Sequence, residues 1–127
     1  MRRLYPLICL ALLAGCAPPP EREIAVAMTE YAFVPATIEV AAGERVRLVI
    51  RNTGRLEHDF ATDQRGVALG LTHVHLAPGA SQSMDWTAPA DPTEVAIRCT
   101  IVGHEALGMV GRLIVRARAA RGVPLYP

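Results

Sequence analysis

The sequence predicts an all-β fold, a sandwich or barrel of about seven to eight short strands. Three observations predict it. Apolar and polar residues alternate with a period of two over runs of four to eight residues. Turn-forming clusters, "AAGE", "NTG", "APGA" and "APADP", separate those runs. No long stretch repeats its apolar residues with the period of a helix, although "ALGLTHV" suits a short irregular turn.

The N-terminal stretch stands outside that pattern. "MRRLYPLICLALLAGC" opens with Arg2 and Arg3 and continues apolar from Leu4 to Leu13, the layout of a secretory signal too short to span a bilayer. It closes on Leu13-Ala14-Gly15-Cys16, which resembles a bacterial lipobox. That resemblance implies a signal peptide over residues 1–15, cleavage before Cys16 and lipidation of its sulfur, hence a protein anchored to a membrane rather than spanning it. The alternative is an ordinary signal with an incidental cysteine. "APPPERE" then reads as a stiff spacer, so that residues 16–23 form the lipidated cysteine and its linker.

From Ile24 the strands follow in order. "IAVAM" puts Ile24, Val26 and Met28 on one face, and "TIEV" turns Ile38 and Val40 inward. "RVRLVIR" sets Val46, Leu48 and Ile50 against arginines. "SQSMDWT" carries Met84 and Trp86 on one face, so both are expected in the core along with Met28. "VAIRC" and "RLIVRAR" complete the set, with the domain ending near residue 118. Residues 119–127 are left as a tail. Arg116, Arg118 and Arg121 around that boundary suit either contact with lipid or a partner, or a frayed polar end.

Composition excludes more than it selects. The 127 residues, 51% of them apolar, suit one domain of residues 24–118. A formal charge of +1, with all thirteen basic residues arginine and none clustered, carries no nucleic-acid signature. Without residues 1–15, eleven basic residues face twelve acidic ones, a formal charge of −1.

Cysteine usage sharpens the reading. Of three cysteines, Cys9 leaves with the signal and Cys16 takes the lipid, so the folded domain keeps Cys99 alone. A lone thiol outside the cytoplasm is either buried and inert or held by something. Its neighbours favour the second reading. "CTIVGHEALGM" spaces Cys99, His104 and Met109 as Cys-x4-His-x4-Met, with Gly103 and Gly108 letting the loop turn back. Thiolate and thioether are soft donors and imidazole is borderline, a set that selects copper over calcium, magnesium or structural zinc. His58, in "NTGRLEHDF", supplies a further imidazole just past a turn.

With these residues the sequence resembles the cupredoxins, or type 1 blue copper proteins, including the plastocyanin, azurin and rusticyanin-like groups. The likeness covers about residues 24–118 and extends to "FVPATIEVAAGERVRLVIRNTG" and "HLAPGASQSMDWTAP". It implies a Greek-key topology, one copper ion cycling between Cu(I) and Cu(II), equatorial ligands His58, Cys99 and His104, and a long axial contact from Met109. In that family the second histidine is the usual electron port. Leu56, Val102, Ala106 and Leu107 would form the apolar rim around His104, with Glu105 beside it, suiting a weak, fast-dissociating redox partner.

Three positions depart from the family pattern. Val102 stands where relatives usually have proline, adding an N–H near the sulfur and loosening the loop. Asp59 stands where asparagine is frequent; it is placed to accept a hydrogen bond from Thr100 and tie the ligand segments together, or else to face water. Arg98 replaces the aromatic that many relatives carry beside the cysteine. His73 and His75, two apart in "THVHL", share one strand face and suit an accessory metal site, a pH-sensitive edge or an ordinary hairpin surface.

The expected function is single-electron transfer between redox partners on the outer side of the cytoplasmic membrane, by a lipid-anchored monomer that is not an enzyme. The sequence carries no second copper cluster, no paired acid and base and no nucleophile elbow; a binuclear copper site would need a second loop cysteine. The alternative is a copper chaperone or resistance protein that holds and delivers the metal without cycling electrons. A zinc-holding structural domain ranks third.

Overall fold

Alternation of side chains becomes two packed layers. In the computed structural model, which describes residues 20–118, strand β4 (Arg45–Asn52) buries Val46, Leu48, Ile50 and Asn52 while Arg47 and Arg51 face outward. It lies between β1 (Arg22–Thr29) and β7 (Ser81–Thr87), with the three-residue β2 (Ala32–Val34) on the far edge, giving the order β2-β1-β4-β7. The second sheet is ordered β3-β9-β8-β5-β6, from β3 (Thr37–Ala41), β9 (Val110–Arg116), β8 (Thr93–Arg98), β5 (His58–Thr62) and β6 (Val74–Leu76). Between the sheets lie Met28, Leu48, Ile50, Phe60, Ile97 and Leu113, almost wholly buried. Each such side chain contributes about 1.5–3 kcal/mol relative to exposure.

The sandwich is the expected one, with corrections of detail. Nine strands are present among the described residues rather than seven or eight, because β2 and β6 are three residues long, too short for a period-two signal. The sheets are mixed: β1 pairs with β4, and β3 with β9, in parallel, and the other neighbours are antiparallel. The chain changes sheet between β2 and β3 and again before β4, so β4 returns beside β1 running the same way. A five-residue helix, α1 (Gln64–Ala68), precedes the expected turn; Asp63 caps it by accepting from the Gly66 N–H at 3.0 Å. Gly70, at φ 87, then turns the chain towards buried Leu71.

Met28 is fully buried as expected, whereas Met84 is only partly buried against the core, on a strand of the sheet's edge. Trp86 is buried and donates its indole N–H to the Leu69 carbonyl at 2.8 Å. Arg116 lies within β9 and pairs with Glu39, and Arg118 pairs with Glu21 at 3.1 Å, so neither frays. The signal stretch, residues 16–19 of the expected linker, and residues 119–127 lie outside the described residues, while the end of that linker is already strand, since β1 begins at Arg22.

Candidate metal centre

Two segments converge at one end of the sandwich. His58 opens β5 opposite Leu76 of β6. The turn leading to it is held by Asn52, a buried residue at the end of β4 whose side-chain amide donates to the carbonyls of Leu56 at 2.7 Å and Leu76 at 2.9 Å. The same side chain accepts from the Gly54 N–H at 2.9 Å, so one amide shapes the whole turn before the histidine. The sequence marked Asn52 only as part of a turn. What gives it away afterwards is its register on the inward face of β4, where an apolar residue would otherwise stand.

The second segment is the loop between β8 and β9. Cys99 follows β8 directly, and its N–H donates to the Met109 carbonyl at 3.1 Å, closing the loop at its base. Within it the Met109 N–H reaches the His104 carbonyl and the His104 N–H reaches the Ile101 carbonyl, each at 3.0 Å. Gly103, at φ 88, and Gly108, at φ 98, take the left-handed conformations these tight turns need.

The outcome is a buried triad of donors. His104 Nδ1 lies 3.2 Å from His58 Nδ1 and 3.4 Å from the Cys99 sulfur. Among the described residues, His58, Cys99 and His104 form the one group of three or more histidine, cysteine or acidic side chains whose ligand atoms all lie within 4.8 Å of one another. A metal held by nitrogen and sulfur at about 2.0 to 2.3 Å keeps neighbouring donors roughly 3 to 4 Å apart, so the set fits an ion. Burial holds the His58 imidazole below its ordinary value, and neighbouring His104 adds to that, favouring the neutral form that binds metal. Met109 is fully buried at the end of the same loop.

Around the triad the expected tie is present. Asp59 accepts a short hydrogen bond from the Thr100 hydroxyl through one carboxylate oxygen and pairs with His75 Nδ1 at 2.6 Å through the other. Burial pushes the Asp59 carboxyl up, but the bonds from Thr100 and His75 outweigh it and hold the group below its usual value. The Asp59 N–H donates to the Cys99 sulfur at 3.3 Å. The Val102 side chain points away from the site and is 97% exposed.

His73, just before β6, and His75, within it, are both exposed, as their spacing predicts, with Val74 buried between them. They are not free surface histidines: His73 Nε2 lies 3.5 Å from Asp59, and His75 also faces Glu57 at 3.7 Å. Tyr31, at φ 61 in the turn between β1 and β2, sets its ring edge-on to His104 with centroids 5.2 Å apart. Nothing in the sequence marked that contact, because it joins segments far apart in the chain. His104 itself is 8% exposed, and exposed Leu56, Val102, Ala106 and Leu107, with Glu105, lie around its place in the loop and the facing turn. A shallow depression there is lined by Arg55, Leu56, Glu57, Pro78, Ile101 and His104.

Comparison with known proteins agrees with this geometry. The family model described as cupredoxin-like domain matches residues 4–115, and the chain belongs to that family. It is accordingly a copper-binding cupredoxin-like protein, and the His58, Cys99 and His104 cluster fits a copper ion. A "copper-resistant cuproprotein CopI" of Rubrivivax gelatinosus is 37% identical over 120 residues, covering 80% of this chain and 71% of that protein. A protein of the same description from Pseudomonas aeruginosa is 49% identical over 39 residues, 31% of this chain and 22% of that protein. Among solved structures, reduced auracyanin from Roseiflexus castenholzii superposes with a TM-score of 0.62 at 22% identity, covering 74% of this chain and 96% of that one. Auracyanin B superposes with a TM-score of 0.64 at 21% identity, covering 80% and 93%. These two likenesses concern the fold.

Proposed function

We propose that this chain is a mononuclear type 1 copper protein that carries single electrons between protein partners. Its copper would be held by His58, Cys99 and His104, with Met109 as a weak fourth contact. When bound, copper supplies the one-electron Cu(I)/Cu(II) couple. The carrying observation is the donor set itself: one buried thiol and two imidazole nitrogens held by a closed loop and a strand end. Such a scaffold keeps the ligands in place in both oxidation states, which favours a carrier. His104 reaches the surface between apolar side chains, and we read that patch as the docking surface for a redox partner. The reading includes export, a lipid anchor at Cys16, a monomeric state and no catalysis of its own.

Purified protein titrated with Cu(II) is expected to develop an intense blue or green thiolate charge-transfer band at one equivalent. A mild reductant should bleach it reversibly, and Cys99→Ser should abolish it with the fold intact by circular dichroism. A colourless complex in the parent protein ends the carrier reading.

The second reading is a copper-resistance protein that sequesters or delivers the ion. The 37% identical relative described as copper-resistant supports it. So does the pair His73 and His75 converging on Asp59, whose N–H touches the ligand sulfur, as an accessory landing place for the metal. Uptake of more than one copper, with transfer to a competing apoprotein faster than electron exchange, would favour this role.

A further inference from the structure

The back of the His58 ring holds a second relationship, which rests on reading His58 as a copper ligand. The ring is fully buried, and its Nε2 finds no hydrogen-bond partner among the described residues. A neutral imidazole carries one N–H, and if Nδ1 is to offer its lone pair to a metal the proton must sit on Nε2. A buried N–H of that kind calls for an acceptor.

One faces it. A Cβ placed on Gly54 would stand 3.1 Å from His58 Nε2 and 2.9 Å from Glu30 Oε1, so the two atoms look into one gap and lie at most about 6 Å apart. The φ of Gly54 is outside the left-handed region, so its backbone does not demand glycine. The missing side chain is what keeps the gap open. Glu30 is also fixed in place, because Oε1 accepts a short bond from the Arg55 N–H, and this holds its carboxyl ionised below the usual range. A carboxylate oxygen has a second lone pair to offer.

We propose that Glu30 is a positioning residue for His58: its carboxylate accepts a hydrogen bond from Nε2–H through one bridging water molecule in the gap, and so leaves Nδ1 bare towards Cys99 and His104. Gly54 is the spacer that permits the approach.

Long-range imidazole proton–nitrogen spectra of the 15N-labelled, metal-free protein test this. The parent should show His58 as the Nε2–H form. Glu30→Ala should shift the ratio of the two neutral forms by on the order of tenfold and weaken copper binding roughly 10- to 100-fold, the usual effect of removing such an outer partner. Glu30→Gln keeps an acceptor oxygen and should restore most of both. Should Glu30→Ala lose the fold, Glu30→Asp, which withdraws the carboxylate by one methylene, carries the same expectation. A parent in the Nδ1–H form, or a tautomer ratio and copper affinity within twofold of the parent in the folded variant, overturns the assignment. A parent that gives no coloured copper complex sinks the carrier reading alone, since the tautomer is measured without metal.

Discussion

The backbone N–H of Asp59 donates to the sulfur of Cys99 at 3.3 Å, joining two segments 40 positions apart in the chain. Its side chain meanwhile holds Thr100, the residue after the cysteine, and His75 on the neighbouring strand. Asp59→Ala spares the backbone donor and removes both side-chain bonds. The metal-free variant should lose about 2–3 kcal/mol in urea unfolding, and its copper band should shift or broaden. Asp59→Asn keeps an acceptor for Thr100 and should lose less than half as much. An alanine variant with the parent's midpoint would show that the tie holds nothing together.

Asn52 invites the same test in the turn that precedes His58. Its amide satisfies two carbonyls and one N–H in a buried turn. Asn52→Leu fills the volume but strands those groups, and should cost about 2–4 kcal/mol. Copper affinity should fall with it, because the turn sets the entry of His58. A variant that is less stable yet binds copper as tightly as the parent would separate the turn from the ligand.

Acid sensitivity should appear at Asp63. The Gly66 N–H, with the Ala96 N–H on a neighbouring strand, holds this carboxyl below its ordinary value of 3.8. A carboxyl depressed in the folded state adds stability that is complete above the unfolded value and is lost as pH falls through the folded one. Between pH 5 and about pH 2 the parent should therefore lose more stability than Asp63→Asn, which keeps a capping oxygen without a titrating group. Parallel melting curves for the two proteins across that range would contradict the assignment.

Val102→Pro addresses the loop. Because the valine side chain is 97% exposed, its replacement should leave stability within about 0.5 kcal/mol of the parent. Proline removes the residue's N–H and fixes φ, so the loop stiffens. We expect a lower reduction potential by voltammetry; a rise or no change would count against any influence of this position on the copper.

The layered fold was legible because Val46, Leu48 and Ile50 alternate so regularly with their neighbours that period two admits few other architectures. Cys99, His104 and Met109 were legible because residue type and spacing within one short loop carry chemistry that few other arrangements need, and His58 because it stands just past a turn as the further imidazole such a set requires. Asn52, Tyr31 and Glu30 were not legible in that way. Each acts through a partner distant in sequence or through a turn whose shape only tertiary contacts define, and asparagine, tyrosine and glutamate at a turn are ordinary residues. Strand direction was hidden for a related reason: alternation reveals which face is buried but not which way a neighbouring strand runs. Met84 alternates correctly with Trp86, yet its strand lies at a sheet edge that covers it incompletely.

The parallel pairing of β3 with β9 brings residues 37–41 beside residues 112–116. Chains that must join such remote segments fold slowly, on the order of milliseconds to seconds. The loop holding Cys99 leads into β9, so the outgoing strand of the ligand loop is clamped between a local neighbour, β8, and a remote one, β3. A change that displaced β3 would leave the hairpin carrying Cys99 paired with itself but take away one of the two partners that keep its outgoing strand in register.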